Sequence, residues 1–214
     1  MSRLQVAVID YGMGNLRSVA NAFKAVAPDI AIAVTSDPAV IADAERVVFP
    51  GQGAMPDCIR ELDARNLRQA VMAATSTKPF LGICIGLQML FEHSEEGDVS
   101  GLGVYPGEVK RFPVDRMIDA QGGKMKVPHM GWSQVHQTHA HEMWAGIPDQ
   151  SRFYYVHSYY VAPTEGALTA ATTAYPFDYT CAIARDNVFA VQFHPEKSAE
   201  AGLQLLRNFV NWKP

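Results

Sequence analysis

Short apolar runs alternate with stretches of helical periodicity over the first 95 residues, and this alternation restricts the possible folds more than any other feature of the chain. The runs at 4–10, 46–51 and 79–83 fit buried strands, and Pro-Gly ends the second of them. A helical stretch of about fifteen residues is predicted to follow that Pro-Gly pair. Another helix is predicted between the first two runs, with an apolar face formed by Leu16, Val19, Phe23 and Val26. Parallel strands covered by helices are the expected result.

The chain becomes richer in Gly, Pro and aromatic residues from position 101 onward, which favours hairpins. The strand candidates there are 107–112, 152–161, 167–174, 181–185 and 188–193. A closing helix is predicted at 198–212, whereas 113–128 lacks periodicity and is expected to form an exposed loop. We therefore predict one domain spanning 1–214 with a mixed α/β fold, in which helices flank a largely parallel central sheet and antiparallel hairpins are added in the second half.

Composition excludes several classes of function. With 48% hydrophobic and 19% charged residues among 214, the chain can form one substantial core. The net charge of -4 and the scattered Lys and Arg residues disfavour nucleic acid as a partner. The first apolar run is too short for a secretory signal and no run is long enough to cross a bilayer, so we expect a cytoplasmic protein without membrane partners. Three cysteines without C-x-x-C spacing disfavour disulfides and zinc, and we expect no metal and no cofactor.

The sequence GICIG places a cysteine between two glycines where a strand gives way to a helix. Gly82, Cys84 and Gly86 reproduce the strand-to-helix nucleophile elbow, with sulfur in place of the serine oxygen. A thiol there lies above the first turn of a helix, which favours the thiolate, and the N–H of Ile85 can donate to an oxyanion. A small buried hydrophobe is the alternative for Cys84, and the glycines alone leave both interpretations open.

The sequence HPE offers a base for this thiol. Because Pro195 restricts the backbone, we predict that His194 to Glu196 run extended, with the carboxylate and the imidazole on the same side. Glu196 can then orient His194, and the position at the end of a core strand is where ligands lie in open α/β sheets. A lone His-Pro-Glu is usually a strand-end turn, but the nearby elbow favours the catalytic interpretation.

Two further features could complete the site. In FPGQG, the backbone of Gly51 and Gln52 could bring further N–H groups to an oxyanion, because the glycines at 51 and 53 let the peptide between them rotate. Gln88 lies four residues after Cys84 on the same helix face, where its amide could contact a polar substrate. The alternatives are a plain Pro-Gly turn and a solvent-facing glutamine.

These motifs together resemble the triad (class I) glutamine amidotransferases, whose central sheet is flavodoxin-like, and the resemblance spans nearly the whole chain. It implies that Cys84 attacks the side-chain amide of L-glutamine, that His194 transfers the proton, and that Glu196 supports His194 while ammonia and then glutamate leave. The resemblance also implies substrate contacts from Gly53, Gln88, Ser158 and Tyr159.

Smaller motifs resemble one branch of that family, the glutaminase subunits of imidazole glycerol phosphate synthase in histidine biosynthesis. They are DYGMGN at 10–15, PHMGW at 128–132, HSYY at 157–160 and HPEKS at 194–198. The resemblance implies a heterodimer in which a (β/α)8 barrel cyclase receives the ammonia. The resemblance also implies that Asn15, Trp132 and Lys197 lie toward the partner and the ammonia exit. A helix cap, a core tryptophan and a solvated lysine are the alternatives for these three residues.

Three residues depart from the family pattern. Ile85 replaces a leucine, Gln52 replaces a small apolar residue, and Ser133 replaces an asparagine after Trp132. The first two positions act through backbone N–H groups, so the chemistry is expected to survive. With Gln52 at this position, the sequence does not determine the resting conformation of the loop. Ser133 could alter contacts at the subunit border.

Other interpretations of the motifs are weaker or remain as alternatives. DYGMGN lacks the glycine that a dinucleotide fingerprint needs at Arg17, and the histidine-rich run at 136–142 lacks a metal-protease spacing, so a surface loop is favoured there. A cysteine hydrolase with the same elbow, a glutaminase serving another ammonia acceptor, and an amidotransferase-like binding module that no longer cleaves glutamine all remain possible.

Overall fold

The structure, a computed structural model, describes residues 5–119 and 121–214. Its α-helices in these ranges are α1 Leu16–Val26, α2 Pro38–Asp43, α3 Met55–Ala64, α4 Arg68–Thr77, α5 Ile85–Gln88 and α6 Ala199–Asn211. Its strands are β1 Val6–Ile9, β2 Ile32–Thr35, β3 Arg46–Phe49, β4 Phe80–Ile83, β5 Phe91–Ser94, β6 Val99–Ser100, β7 Tyr105–Arg111, β8 His129–Gln134, β9 His136–Gln137, β10 Arg152–His157, β11 Tyr159–Pro163, β12 Thr169–Ala174, β13 Asp178–Arg185 and β14 Val188–Val191. Within the described ranges, no helix is long and apolar enough to cross a membrane.

The central sheet has twelve strands, and its main path follows the order β2, β1, β3, β4, β14, β13, β11, β7, β5, β6. The first five strands of this path run parallel to one another, and β13, β11 and β7 extend the sheet by antiparallel pairing. β12 pairs with β13, β9 pairs with β12, and β8 and β10 form a separate antiparallel pair. The predicted mixed sheet with antiparallel additions is therefore confirmed.

The first half follows the prediction except between β3 and β4. The three runs predicted as strands form β1, β3 and β4, although residue 4 lies outside the described residues. The helix α1 contains the four residues of the predicted apolar face. The single helical stretch expected after β3 is wrong, because α3 and α4 are two helices. Asn66 adopts a left-handed φ of 56° between them, which a right-handed helix cannot continue through. The sequence reasoning also did not identify β2 and α2.

In the second half, the strand predicted at 152–161 is two strands in different sheets, β10 and β11, which separate at Ser158. The expected loop at 113–128 contains a 3-10 turn at Val114–Arg116 and one isolated bridge between Ile118 and Lys124. Val114 is 69% exposed, in agreement with a surface loop. The closing helix is confirmed as α6, whereas β5, β6, β8 and β9 were not predicted.

The turn at Pro195–Lys197 is held between β10 and α6. The hydroxyl of Ser198 donates to the carbonyl of His194 at 2.6 Å and accepts from the N–H of Tyr154 at 2.9 Å. On α6, Gly202 approaches this turn so closely that a Cβ there would overlap the carbonyl oxygen of Pro195. Backbone packing therefore fixes where the residues around 194–197 lie.

We expect Gly202→Ala to destabilise the protein. Alanine gains about 1 kcal/mol of helix propensity over glycine, but displacing a backbone carbonyl in packed surroundings costs about 1–3 kcal/mol. A net loss of up to about 2 kcal/mol should appear as a lower urea midpoint.

Gly166→Ala is the matched control, because a Cβ at Gly166 would meet no atom within 4 Å. Its free energy of unfolding should stay within about 0.5 kcal/mol of the parent value. Equal midpoints for the two variants would show that the turn does not depend on this close approach.

Candidate active site

The corner after β4 is strained and tightly packed. Cys84 has φ 56° and ψ −111°, an uncommon backbone conformation for a residue with a side chain. A Cβ on Gly86 would overlap the carbonyl oxygen of Phe49, and a Cβ on Gly82 would lie 2.9 Å from the Cβ of Ala190. The two glycines therefore let α5 lie directly against the neighbouring strands. Since α5 has only four residues, its dipole supports a thiolate less than the dipole of a longer helix would.

A histidine and a carboxylate meet beside this corner. His194 Nδ1 and Glu196 Oε1 are 2.9 Å apart, and both side chains are only 2% exposed. β4 and β14 are adjacent parallel strands with Ile83 opposite Val191, so the residues that follow them leave the sheet at the same edge. The expectation that 194–196 run extended is wrong, because Pro195–Lys197 forms a 3-10 turn. That turn curls the carboxylate back toward the ring.

The charge state of His194 depends on its neighbours. Burial by itself lowers the pKa of His194, but negative charge on Cys84 and on Glu196, together with the hydrogen bond to Glu196, outweighs burial and raises this pKa well above its usual value. When Cys84 is a thiolate, the imidazole therefore keeps its proton near neutral pH. A cationic ring beside Cys84 stabilises a thiolate and holds a proton ready for a leaving group.

A cavity of about 450 Å³ opens onto Cys84 and His194. Its lining consists of Gln52, Gly53, Cys84, Ile85, Gln88, Glu96, Pro128, Val156, His157, Ser158, Tyr159, His194 and Lys197. Most of the residues proposed from the sequence are in this set. The exceptions are Glu196, which contacts His194, the buried Gly51, and Asn15 and Trp132.

The loop at 51–53 packs against the interior on one side and borders the cavity on the other. A Cβ on Gly51 would overlap the hydroxyl of Tyr11 and would lie 3.2 Å from the Cβ of Ile85. The carbonyl of Gln52 accepts from the thiol of Cys58 at 3.6 Å. Gly53 has φ 113°, a conformation that favours glycine. Close packing therefore places Gly51 against Ile85, and Gln52 and Gly53 line the cavity together with Ile85.

Gln88 reaches across the site rather than into solvent. Its Nε2 donates to the carbonyl of Tyr159 and to Oε1 of Gln192, both at 3.0 Å. Its Oε1 is buried and has no hydrogen-bond partner among the residues that the structure describes. This oxygen is therefore a buried acceptor without a partner, on a residue that lines the cavity. Ser158 also lines the cavity, and its carbonyl accepts from the N–H of Phe112 at 3.1 Å.

Several residues of the site were missed by sequence reasoning. His157 is buried between the carbonyl of Tyr159 (2.7 Å) and the hydroxyl of Tyr179 (3.0 Å), and burial lowers its pKa to about 3. It is therefore neutral and fixes the backbone at the cavity wall. Gln192 donates to Cys84 Sγ, and Glu96 lines the cavity opposite the elbow helix. Gln192 precedes His194 by two residues, a spacing that could have indicated a shared face.

The residues assigned to the partner side differ in their surroundings. Asn15 Oδ1 accepts from the N–H of Ser18 at 3.4 Å, so it caps α1. Trp132 is 46% exposed and packs edge-on against Tyr154, which contradicts a core position. Lys197 is exposed at the cavity. Ser133 Oγ lies 2.8 Å from His129 Nε2, so its hydroxyl bonds within the chain.

The histidine-rich run at 136–142 makes internal contacts. His136 Nδ1 lies 3.0 Å from Asp149 Oδ2, and His141 packs against Phe189 and Trp212. Across the described parts of the chain, no group of three His, Cys, Asp or Glu side chains is arranged to hold a metal ion.

Comparisons with known proteins agree with this geometry. The family model described as glutamine amidotransferase class-I matches residues 7–212. Two relatives named imidazole glycerol phosphate synthase subunit HisH, from Nitrosospira multiformis and Aromatoleum aromaticum, are each 66% identical over 98% of this chain and cover 98% and 99% of their own lengths. A third, from Dechloromonas aromatica, is 64% identical over 98% of this chain and 97% of its own length.

Solved structures show the same fold at low sequence identity. One, described as glutamine amidotransferase, aligns with a TM-score of 0.69 at 16% identity over 96% of this chain and 97% of its own. Another, a glutamine amidotransferase from Thermotoga maritima, aligns with a TM-score of 0.62 at 16% identity over 94% of this chain and 80% of its own. The chain belongs to the class-I glutamine amidotransferase family.

Proposed function

We propose that the chain folds as one domain and hydrolyses L-glutamine to glutamate and ammonia. The observation that carries this proposal is the buried pair of His194 and Glu196, joined at 2.9 Å, at the cavity that contains Cys84. A thiol, a base and an orienting carboxylate at one cavity form the arrangement of nucleophilic acyl transfer.

The reaction proceeds in two stages at one sulfur. Cys84 Sγ attacks the side-chain carbonyl carbon of glutamine, and the negative charge on oxygen is stabilised by the N–H of Ile85 and by an N–H from the backbone at 51–52. His194 donates its proton to the departing nitrogen, so ammonia leaves and a γ-glutamyl thioester remains. His194 then accepts a proton from water, whose hydroxide attacks the thioester and releases glutamate and the thiol.

Substrate size and polarity are consistent with the cavity. A volume of about 450 Å³ suits a single amino acid more than a folded or extended polypeptide. The unpartnered Oε1 of Gln88 can accept from a donor group of glutamine, and Gly53, Ser158 and Tyr159 lie around it. These features favour a free amino acid over a peptide and distinguish the proposal from a peptidase.

The ammonia requires a second protein, because in neutral water it protonates and loses its nucleophilic lone pair. We propose a cytoplasmic heterodimer with a (β/α)8 barrel cyclase, which uses the ammonia to make imidazole glycerol phosphate and aminoimidazole carboxamide ribotide in histidine biosynthesis. The names of the relatives at 64–66% identity support this acceptor over others.

An apolar surface beside the cavity supports docking of that partner. Met130 and Trp132 are 65% and 46% exposed on the same face of β8. Met130 lies opposite Val156 of β10, and Val156 lines the cavity. Lys197 is exposed at the same opening, so Trp132 and Lys197 are the residues that we assign to the partner side. Asn15 stays a prediction for that side.

Cys84→Ala should abolish glutamate release while leaving the fold intact. The substitution removes the nucleophile and the acceptor of the Gln192 amide, but only one atom of a buried side chain, so the thermal midpoint should fall by a few degrees with the fold retained. The measurement is glutamate formation from L-glutamine under saturating substrate. Parent-level activity in the variant would refute the assignment.

A second experiment uses the parent protein. A diazoketone analogue of glutamine should label Cys84, and glutamine but not peptides should protect Cys84 from the reagent.

The cyclase should activate this glutaminase. If the backbone at 51–53 must rotate to complete the oxyanion hole, the isolated chain lacks one donor, whose absence costs roughly 10²–10³-fold in kcat. Adding the cyclase with its nucleotide substrate should therefore raise glutamate release by about that factor.

The control for this experiment is the cyclase mixed with the Cys84→Ala chain, which should release no glutamate. Full turnover by the isolated chain, unaffected by the cyclase, would contradict the requirement for loop rotation. Activation by a different synthase but not by the cyclase would contradict the proposed acceptor.

A further inference from the structure

A buried amide other than those of the oxyanion loop contacts the nucleophilic sulfur. Gln192 is completely buried, and its Nε2 donates to Cys84 Sγ at 3.7 Å. Gln192 follows β14, the strand that lies beside β4 in the sheet. Its own N–H donates to the carbonyl of Cys181 at 2.8 Å, so the backbone that carries this side chain is fixed to β13.

The orientation of the amide is determined by its other end. Gln192 Oε1 accepts from Gln88 Nε2 at 3.0 Å, and Gln88 Nε2 also donates to the carbonyl of Tyr159. If the Gln192 amide turned over, its NH2 group would face the NH2 group of Gln88, and both the bond to Gln88 and the bond to sulfur would be lost. The NH2 group is therefore directed at Cys84.

A polar side chain at this depth is unfavourable unless its hydrogen bonds are formed. An apolar residue of similar volume could fill the same buried space without this requirement. The two bonds of Gln192 satisfy the amide, and one of them ends on the sulfur that reacts. Because hydrogen bonds to a charged acceptor are stronger than those to a neutral one, the bond strengthens when the sulfur becomes a thiolate.

We propose that Gln192 is a positioning residue of the glutaminase site, which holds the sulfur of Cys84 in its reactive orientation and stabilises its negative charge. The proposal rests on the proposed function, in which Cys84 is the nucleophile. It adds a neutral donor to the contribution of the cationic His194. It also connects the nucleophile with Gln88, a residue that lines the cavity, so a ligand bound to Gln88 would polarise the same chain of amides.

Other titratable groups surround the sulfur and stay unchanged when Gln192 is replaced. They are Tyr11 after β1, Cys58 on α3, Glu96 after β5, His157 on β10, Tyr179 on β13, and His194, Glu196 and Lys197 after β14. A comparison between variants at position 192 therefore isolates the contribution of the amide.

The test is the rate at which iodoacetamide alkylates Cys84 as a function of pH in Gln192→Leu and in the parent. This reagent reacts with the thiolate and needs no glutamine. Losing a donor to the thiolate should move the midpoint of the profile upward by about one pH unit and slow alkylation by about tenfold at pH values well below the parent's midpoint. Mass spectrometry locates the adduct, and Cys84→Ala corrects for the buried Cys58 and Cys181.

Gln192→Asn is the second variant, because it keeps the amide but is one methylene too short to reach the sulfur. The midpoint of its alkylation profile should move upward by the same amount. Its kcat should be lower than that of the parent, with little change in KM for glutamine. An unchanged alkylation profile in either folded variant would overturn the proposal. A raised KM with an unchanged profile would also overturn it, since Gln192 would then act only by holding Gln88. If the parent releases no glutamate even with the cyclase and its substrate present, the proposed function fails, but the alkylation profiles still decide the role of Gln192.

Discussion

The parallel pairing of β4 with β14 is the constraint on which the rest of the structure depends. With Ile83 opposite Val191, both strands end at the same edge of the sheet, and the chain leaves them at Cys84 and Gln192. Gln192 and His194 thus come from one strand and Cys84 from its neighbour. Backbone hydrogen bonds between buried strands fix this relation more firmly than any contact between the side chains could.

Close contacts at three glycines fix the positions of the individual functional groups relative to this sheet. Gly86 lies against the carbonyl of Phe49, Gly202 against that of Pro195, and Gly51 against the hydroxyl of Tyr11. Each approach leaves no space for a side chain at the glycine, so backbone carbonyls position the elbow and the histidine turn, and the Tyr11 side chain positions the oxyanion loop. The strained backbone of Cys84, a conformation that costs of the order of 1–3 kcal/mol, is held in place by this packing.

The sequence was sufficient for the features that depend on local patterns. Buried strands, the amphipathic α1 and the glycine-flanked cysteine each follow from residues close together in the chain. The turn at Pro195–Lys197 was not predicted correctly, because its shape depends on Ser198 and Gly202 at the start of α6 and on the bond from Tyr154 of β10 to Ser198. Gln192 was missed for the same physical reason, since its partners are 104 and 108 positions away.

The central claim is that a negative charge at Cys84 and a protonated His194 stabilise each other in a buried site. The most direct test is a pH titration of ring nitrogens by NMR in protein labelled with 15N-histidine, with His194 assigned by substitution. The raised pKa predicts that His194 stays protonated through neutral pH in the parent. In Cys84→Ala, the ring should lose its proton at a clearly lower pH, because burial then opposes the charge with only Glu196 to support it. A His194 ring that is neutral at pH 7 in the parent, and whose titration is unaffected by Cys84→Ala, would contradict this account.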